Sequence, residues 1–341
     1  MRHGWQWGHC MRVGLVGVGR IGVLHAGTLT DNPQVASLLV ADVDRGRAQQ
    51  VADKVGAEVA AVDELFDGHA DAVVIAAATS AHTQLVHRAL DAGIPVFCEK
   101  PLAADVDGTR AVIEHARVSG APLQVGFQRR FDAGYRAAHR AVRDGQLGWI
   151  HSVYATTFDP TPPNADYISA SGGIFRDCLI HDFDSLRFVT GREVVSAFAV
   201  GGNKGAEFFA EAGDVDTATV SLLLDDGTVA TVLGGRYNGA GYDARFEVHG
   251  SSATLVAGLD ERAPLGSAEP RSSWPDGRPY GSFIERFQAA YATELSDFVA
   301  HTLGRIPNPC PPEDALEALY IAEAATLSRA EGRPVRLDEV R

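Results

Sequence analysis

Gly17-Val18-Gly19-Arg20-Ile21-Gly22 has the spacing G-x-G-x-x-G. A short apolar run precedes it at residues 12–16, and apolar residues at helical spacing follow it. This is the strand–turn–helix context that a dinucleotide-binding motif requires. In such a motif the first glycine makes a tight turn, the second lets a pyrophosphate approach the backbone, and the third lets the helix pack closely on the strand. We therefore predict a dinucleotide site whose contacts include Gly17, Gly19, Arg20 and Ile21.

A second predicted strand, at residues 36–41, ends at Asp42. An acidic residue at this distance from the glycine motif binds the ribose 2′-hydroxyl and repels a 2′-phosphate. The position of Asp42 therefore predicts NAD as the cofactor. Arg45 and Arg47 follow, so use of NADP stays open at this point.

Two more strand–helix units follow, and each predicted strand ends in polar residues. Thr79, Ser80 and His82 come after a buried strand at residues 72–78, and Glu99-Lys100-Pro101 comes after one at residues 95–97. Ligands bind at the carboxyl ends of strands in open parallel sheets. Thr79, Ser80 and His82 are predicted cofactor contacts. By position alone, Lys100 either meets a substrate oxygen or pairs with Glu99 on the surface.

The pattern changes in the second half of the chain. Alternating apolar runs follow one another without helices between them, at residues 150–157, 194–200, 217–224, 228–233, 245–249 and 254–256. This pattern predicts a mostly antiparallel open sheet, bracketed by helices at residues 177–190, 283–303 and 312–330. The predicted fold is an α/β Rossmann domain with a doubly wound parallel sheet (residues 11–132) followed by an α+β domain (residues 133–341). The second domain is predicted to bind substrate and to oligomerise, and its C-terminal segment can pack back on the first.

Asp177 and His181 stand four residues apart after the pair Gly172-Gly173. Side chains at positions i and i+4 of a helix are neighbours. A carboxylate beside an imidazole can fix the ring tautomer and raise its pKa, while the imidazole moves a proton. Taken alone, such a pair more often belongs to a solvated helix face with a satisfied histidine, so the rest of the chain must decide whether it is catalytic. The stiff loop at residues 159–164 and the tyrosine-containing segment at residues 237–243 are candidate walls of a substrate site.

Composition limits the classes of function. The chain has 341 residues with 30 Lys and Arg against 44 Asp and Glu, a formal charge of −14. This charge argues against nucleic acid or an anionic membrane as a partner. No apolar run has the length of a transmembrane helix. The four cysteines are scattered without metal-site spacing, so we predict a cytoplasmic protein with no metal site. Residues 1–10 lack the pattern of a secretory signal and are predicted to be an N-terminal extension.

Five segments together resemble the glucose–fructose oxidoreductase, inositol dehydrogenase and MocA (Gfo/Idh/MocA) superfamily, and within it the bacterial inositol 2-dehydrogenases. The resemblance covers the chain from Met11 onward. The segments are Gly17–Gly22, Cys98-Glu99-Lys100-Pro101, Gly126-Phe127-Gln128-Arg129-Arg130-Phe131-Asp132, residues 171–184 and Gly241-Tyr242-Asp243-Ala244-Arg245.

The resemblance implies functional roles. Lys100, Asp177 and His181 correspond to the catalytic triad of the superfamily, and Glu99 and Lys100 lie near the nicotinamide ribose. Such proteins often form tetramers through the open face of the C-terminal sheet, so a homotetramer, or else a dimer, is expected. We assign two sets of contacts on this basis. The cofactor set also includes Gln128, and the substrate set comprises Lys100, Gln128, Asp159, Asn164, Asp177, His181 and Tyr242.

At two places the residues of this chain differ from those that are common in the inositol dehydrogenases. Thr157-Phe158 stands where Ser-Arg is common, and Ala240 stands where Tyr is common. Both are expected near the polyol, so the resemblance constrains the chemistry more than the substrate. The function indicated is NAD-dependent oxidation of a secondary alcohol of a cyclic polyol, with an inositol as the leading substrate. The alternatives are a sugar or amino-sugar dehydrogenase with the same triad, and a dinucleotide-binding sensor without turnover.

Overall fold

The computed structural model describes residues 10–341, and the predicted N-terminal extension lies almost wholly outside this range. The described chain divides into two units. The first unit runs to Gln128 and includes Ala289–Leu316; the second comprises Arg129–Gln288 and Glu317–Arg341. The predicted boundary at residues 132 and 133 therefore differs by four residues from the division observed here. The structure also assigns an internal segment near the C-terminus to the first unit.

The first unit is a parallel sheet with helices at its connections. Its strands are β1 (Met11–Val16), β2 (Val35–Ala41), β3 (Glu58–Val59), β4 (Ala72–Ile75), β5 (Val96–Glu99) and β6 (Leu123–Gly126). Its helices are α1 (Arg20–Thr30), α2 (Arg45–Val55), α3 (Thr79–Asp91) and α4 (Val106–Ser119), with a 3-10 turn at Asp63–Phe66. The strand order is β3-β2-β1-β4-β5-β6. Strands β2 and β3 are added on one side of β1, and strands β4 to β6 are added on the other. Doubly wound sheets bind ligands at the point where the strand order switches sides in this way.

The core of the first unit follows from the continuous apolar runs in its strands. Val13, Leu15, Val40 and Val74 are fully buried, and every residue of β4 is buried, so both faces of that strand are covered. Phe298, from the internal segment near the C-terminus, belongs to the same core. Strands covered on both faces read as unbroken apolar runs rather than alternating ones, which explains why these strands could be located from sequence.

The second unit contains the mixed sheet β12-β11-β7-β10-β9-β8-β13. Its strands are β7 (Ile150–Phe158), β8 (Val194–Gly202), β9 (Thr217–Leu224), β10 (Val229–Gly235), β11 (Asp243–Gly250), β12 (Thr254–Ala257) and β13 (Val335–Arg336). Its helices are α5 (Ala133–Arg143), α6 (Ala165–Ala170), α7 (Ile174–Asp177), α8 (Ile180–Thr190) and α9 (Phe208–Glu211). Short 3-10 turns lie at Gln128–Phe131, where the units divide, and at Leu337–Glu339.

The prediction of a Rossmann domain followed by an α+β domain with a mostly antiparallel sheet is confirmed. One pairing decides the geometry of the second unit: β7 and β10 run parallel, with Phe158 opposite Gly235. The carboxyl ends of these two strands therefore lie side by side. The remaining helices, α10 (Phe283–Thr302) and α11 (Pro312–Glu331), each contribute to both units. Phe287 interrupts the helical geometry of α10 just before the units divide.

Within residues 10–341, no helix combines the length and apolar character needed to cross a membrane. In the same range, no three His, Cys, Asp or Glu side chains are grouped as metal ligands would be.

Candidate active site

The glycine motif of the first unit has the geometry that a dinucleotide needs. Gly17 has a φ of +90°, and a Cβ there would lie 2.5 Å from the backbone nitrogen of Ala77. A Cβ at Gly22 would collide with the carbonyl oxygen of Gly17, so the third glycine is required for helix α1 to approach β1. A Cβ at Gly19 would meet nothing within 4 Å. The open space at Gly19, just before Arg20 and Ile21 begin α1, fits the approach of a pyrophosphate to the helix N-terminus.

Asp42 lies directly after β2 and contacts the glycine motif. Its Oδ2 accepts a hydrogen bond of 2.8 Å from the backbone nitrogen of Val18, and its Oδ1 accepts one of 2.9 Å from the backbone nitrogen of Asp44. The carboxylate is thus fixed at the edge of the loop that a dinucleotide would cross. An anion held here suits a free ribose 2′-hydroxyl and opposes a 2′-phosphate. The residues present fit NAD.

Glu99 is the last residue of β5, and Lys100 follows it directly. The Glu99 carboxylate lies 2.7 Å from Nε2 of His25, a histidine of α1 whose side chain is fully buried. A Cβ at Gly126 would come within 3.0 Å of Glu99 Oε2, so this glycine leaves room for the carboxylate. Glu99 is thus engaged with a buried imidazole, and contact of Lys100 with a substrate oxygen stays a prediction.

The remaining predicted cofactor contacts differ in exposure. Thr79 and Ser80 form the first turn of α3, with Ser80 exposed. His82 is 1% exposed, and its ring nitrogens lie 2.7 Å from the carbonyl oxygen of Pro101 and 3.1 Å from that of Ala77. This histidine braces the backbone beside Lys100. Gln128 is 3% exposed. Direct contact of Thr79, Ser80, His82 and Gln128 with the cofactor stays a prediction.

Asp177 and His181 lie on two short helices rather than on the single predicted helix. Asp177 ends α7 and His181 is the second residue of α8. The two residues that link the helices, Cys178 and Leu179, both keep right-handed helical dihedrals. The backbone from Asp177 to His181 therefore advances by about one helical turn, as the spacing predicted.

The start of α7 is fixed by its glycine pair. Gly172 and Gly173 have φ values of +81° and +90°, a conformation that side chains rarely adopt. Asp214 accepts a hydrogen bond of 3.0 Å from the backbone nitrogen of Ile174, the first residue of α7. Arg176 anchors the same helix through an ion pair of 2.6 Å with Glu323 on α11. These contacts set the position of Asp177.

Each carboxylate oxygen of Asp177 has a donor. The hydroxyl of Tyr167 donates to Oδ1 at 2.8 Å, and Nη2 of Arg236 donates to Oδ2 at 2.7 Å. Arg236 also donates from Nη1 to Oδ2 of Asp159 at 3.0 Å. The structure thus brings Asp159 and Asp177 together through one guanidinium, which is 3% exposed.

Two of the segments that carried the resemblance are joined by buried ion pairs. Arg129 donates to Asp182 at 2.6 Å, and Arg130 donates to Asp184 at 2.6 Å. Burial raises the pKa of Asp182, although Arg129 and a hydrogen bond from Thr157 favour its charged form. These pairs hold α8, and with it His181, against the segment that follows β6.

Thr157 corrects an expectation. It was expected near the polyol, but it is 2% exposed and its hydroxyl lies 2.8 Å from both Arg129 Nη2 and Asp182 Oδ2. Thr157 therefore belongs to a buried ionic network. Phe158, the next residue, points to the other face of β7, where a Cβ at Gly235 would lie 2.5 Å from its ring. Ala240 is exposed in a turn closed by a 3.0 Å bond from the Gly241 nitrogen to the Asn238 carbonyl.

Two other predicted substrate residues have structural partners. The side-chain oxygen of Asn164 caps α6 by accepting from the backbone nitrogen of Tyr167 at 2.8 Å. Tyr242 is 4% exposed, and its ring packs edge-on against Phe283 and Phe287. Burial raises the pKa of the Tyr242 phenol well above its usual value. Substrate contact by Asn164 and Tyr242 stays a prediction.

Sequence reasoning missed Arg236 and Tyr167. Arg236 follows β10 as Asp159 follows β7, and the parallel pairing of those strands brings the two residues together. The sequence held one indication of a special position there: the pair Gly234-Gly235, just before Arg236, departs from the alternating apolar pattern of the strand. The strand pairing could not be read from the pattern, because alternation does not distinguish parallel from antiparallel neighbours. Lys100 belongs to the first unit, whereas Asp177 and His181 belong to the second.

Both halves of the chain match the models of a known protein family. Residues 11–127 match the oxidoreductase family GFO_IDH_MocA, NAD-binding Rossmann fold, and residues 139–337 match its C-terminal alpha/beta domain. An inositol 2-dehydrogenase of Rhizobium meliloti (strain 1021) is 37% identical over 330 residues, covering 96% of this chain and 99% of that protein.

Two solved structures are also similar over nearly the whole chain. A myo-inositol dehydrogenase from Corynebacterium glutamicum has a TM-score of 0.88 at 35% identity, covering 96% of this chain and 98% of that one. A scyllo-inositol dehydrogenase from Lactobacillus casei, solved with NAD(H) and scyllo-inositol, has a TM-score of 0.85 at 28% identity, covering 96% and 99%. Matches of this extent in both units settle the relationship: the chain belongs to the Gfo/Idh/MocA oxidoreductase family.

Proposed function

We propose that this protein is an NAD-dependent dehydrogenase that oxidises a secondary alcohol of a cyclic polyol, an inositol in the first place, to the ketone. The observation that carries the proposal is the Asp177–His181 pair, one helical turn apart, with the carboxylate fixed by Tyr167 and Arg236. Acid–base catalysis needs a positioned carboxylate near the imidazole, and residues one helical turn apart are neighbours. The inositol dehydrogenases among the relatives support the choice of substrate class.

In the proposed mechanism His181 accepts the proton of the reacting hydroxyl. Asp177 orients the imidazole and stabilises the imidazolium that forms. Lys100 donates a hydrogen bond to the reacting oxygen and stabilises the developing alkoxide charge, an effect of several kcal/mol at a pre-organised site. The glycine motif and Asp42 would hold NAD, which would supply the hydride acceptor. The products are the ketone, NADH and one proton, so atoms and charge balance.

Polyol recognition is assigned to the polar side chains among the predicted substrate contacts. Asp159, already anchored by Arg236, has the acceptor capacity to take a hydrogen bond from a second substrate hydroxyl. Gln128 and Tyr242 bring one amide and one phenol, and Asn164 has its amide nitrogen available after capping α6 with its oxygen. A ring polyol presents several hydroxyls in fixed directions, and a site that pairs them discriminates strongly between stereoisomers.

The test is a panel of inositol isomers and aldoses assayed with NAD and with NADP by nicotinamide absorbance. The proposal expects turnover with at least one inositol and NAD. Activity confined to acyclic or non-sugar alcohols would refute the substrate class. NADH binding without turnover of any alcohol would favour the dinucleotide-binding sensor, although retention of both Lys100 and His181 argues for catalysis.

A sugar or amino-sugar substrate is the second candidate, and a specific observation favours keeping it. Phe158 is apolar where the resembling enzymes commonly carry a cation, and Ala240 is small where they commonly carry Tyr. A hydroxyl-recognising donor is thereby replaced by a ring that packs on Gly235. The same panel decides between the candidates through the ratio of kcat/KM for the best inositol and the best pyranose.

We further propose that the enzyme is a homo-oligomer, a tetramer or else a dimer, that associates through the open face of its second sheet. Cross-strand register places Tyr154, Thr231, Ser221 and Phe198 in one row across four strands. The same face carries Val200, Leu223 and Val229, each more than two-fifths exposed. Exposed apolar side chains gathered on one face are typical of an interaction surface. The four cysteines are free thiols, which fits the proposed cytoplasmic location.

A further inference from the structure

We propose that Arg236 is a positioning residue of the reaction: by bridging Asp177 and Asp159, it fixes both carboxylates and lowers the basicity of the Asp177–His181 pair. The inference rests on the proposed function and adds to it a residue outside the predicted triad and substrate contacts.

The geometry of Arg236 is that of a bridge. One terminal nitrogen lies 2.7 Å from Asp177 and the other lies 3.0 Å from Asp159. The side chains of the two carboxylates are 11% and 20% exposed, while that of Arg236 is 3% exposed. The fixed fork of a guanidinium can span two acceptors in this way, whereas the single ammonium of a lysine cannot hold both in the same geometry.

The backbone around Arg236 is fixed independently of the ion pairs. Its nitrogen donates to the carbonyl oxygen of Asp216 at 2.8 Å, and the nitrogen of Asp159 donates to the carbonyl oxygen of Gly235 at 3.0 Å. Both residues therefore leave parallel strands at the same level of the sheet. The bridge is pre-formed, so no substrate is needed to assemble it.

The charge balance gives Arg236 its chemical role. Two carboxylates share one cation. Burial lowers the pKa of Arg236, but the neighbouring Cys178, Asp177 and Asp159 outweigh this effect and hold the pKa above its usual value. One helical turn away, Asp177 is placed to stabilise a protonated His181, and the guanidinium charge on the same carboxylate offsets that effect. Without Arg236, the carboxylate would favour the imidazolium more strongly, and His181 would hold its proton at higher pH. Arg236 thus keeps the base free to accept a proton near neutral pH.

The experiment compares Arg236→Gln and Arg236→Lys with the wild type, using the best substrate of the panel. We expect Arg236→Gln to move the acid limb of the kcat/KM–pH profile upward by about one pH unit. We expect kcat to fall by about 10²-fold and KM for the polyol to rise, since Asp159 also loses its anchor, while NADH affinity stays within about twofold. Arg236→Lys keeps the charge, so its acid limb should stay close to that of the wild type while kcat falls by at least about tenfold.

Arg187→Gln is the matched control. Arg187 makes a two-point ion pair with Glu193 at 2.7 Å in the same unit, at the far end of α8. Its loss should lower stability and leave the pH profile unchanged. An unshifted acid limb in a folded Arg236→Gln variant would overturn the proposal. If that variant does not fold, the lysine variant decides, because wild-type kcat and KM in Arg236→Lys would equally overturn it.

A measurement without turnover separates this inference from the proposed function. The imidazole of His181 can be titrated by histidine NMR, with its signal assigned by loss in His181→Ala. A higher His181 pKa in Arg236→Gln than in wild type and in Arg187→Gln supports the role of Arg236, even if no polyol proves to be a substrate. An unchanged His181 pKa refutes that role, even if inositol is oxidised.

Discussion

The carboxylate of Asp42 accepts a hydrogen bond from the backbone nitrogen of Val18, the residue between the first two glycines of the motif. One side chain therefore supports the shape of the glycine loop and also carries the charge that is proposed to select the cofactor. Substitutions at Asp42 can separate these two roles, because an asparagine keeps an acceptor oxygen but loses the charge.

We predict that the wild type prefers NAD over NADP by at least about tenfold in kcat/KM, roughly 1.4 kcal/mol. Asp42→Asn should narrow this preference with little change in thermal midpoint, since its amide oxygen can still accept from Val18. Asp42→Ala should narrow it as well and also lower stability by about 1 kcal/mol, because the Val18 nitrogen loses its partner. Steady-state kinetics with both cofactors and thermal melts test this. Equal kcat/KM for NAD and NADP in the wild type would contradict it.

Substitutions in the predicted triad should affect chemistry more than cofactor binding. Lys100→Met removes the charge that stabilises the alkoxide, His181→Ala removes the base, and Asp177→Asn removes the charge that stabilises the imidazolium. Each should lower kcat by roughly 10²–10⁴-fold, the usual effect of losing a positioned acid or base, with NADH affinity near that of the wild type. Stopped-flow or steady-state kinetics and NADH fluorescence measure the two quantities.

The three variants should differ in thermal stability. Asp177→Asn should also lower the thermal midpoint, because Arg236 loses a charged partner. Lys54→Met, on the exposed side of α2, is the control for loss of a lysine and should leave kcat unchanged. Turnover of His181→Ala within about threefold of the wild type would end the proposed mechanism, since a positioned base contributes far more than that.

The fold was predictable largely because its two patterns are distinct. Continuous apolar strands alternating with helices indicated the parallel sheet, and α10 and α11 begin where the sequence predicted and end within one residue of the predicted positions. The break between α7 and α8 was not predictable, because the apolar spacing runs through Cys178 and Leu179 without interruption. The bridge at Arg236 was also missed, since it depends on which strands are neighbours, and residues 77 positions apart in sequence carry no local signal of their contact.

The open face of the second sheet should control assembly. Phe198→Glu or Val229→Glu places a charge on an apolar surface, and burying an unpaired charge costs more than the lost apolar contact. We expect either variant to shift the protein from a tetramer or dimer to smaller species, with unchanged far-ultraviolet circular dichroism. Light scattering coupled to size exclusion measures this. Val118→Glu, at a 71% exposed position on α4, should leave the mass unchanged. Assembly unaffected by both sheet variants would exclude this face as the interface.

Thr157 should contribute to stability rather than to substrate choice. Thr157→Val removes the hydroxyl that links Arg129 and Asp182, and leaving buried charged groups short of a partner costs about 1–3 kcal/mol. Thr157→Ser keeps the hydroxyl and should be much closer to the wild type. Phe158→Arg, on the other face of the strand, should instead change the ratio of inositol to pyranose activity. Denaturant unfolding and the substrate panel test this pair. A changed substrate ratio in Thr157→Ser at unchanged stability would contradict the assignment of Thr157 to the core.

Stability should fall as the pH drops below about 6.5, partly through a histidine pair on α3 and α4. Nδ1 of His87 lies 2.6 Å from Nδ1 of His115, and Nε2 of His115 lies 3.1 Å from Asp91. Two ring nitrogens in contact can share only one proton, so a second proton breaks the contact. Burial, and then the charge of His115, lower the pKa of His87 from its ordinary 6.5, while Asp91 opposes the shift.

The sign of this dependence follows from proton binding. Because the folded state holds the His87 proton less tightly than the unfolded state, the unfolded chain binds more protons as the pH falls from 6.5 through the lower folded-state pKa. The contribution of the histidine pair to the free energy of unfolding is therefore complete above pH 6.5, and it is lost as the pH falls through the folded-state pKa of His87. His87→Gln cannot titrate, so its thermal midpoint should decrease less between pH 7.5 and 5.5 than that of the wild type. His69→Gln, at an exposed histidine outside the pair, should follow the wild type. Equal losses in His87→Gln and the wild type would show that the pair contributes nothing to acid sensitivity.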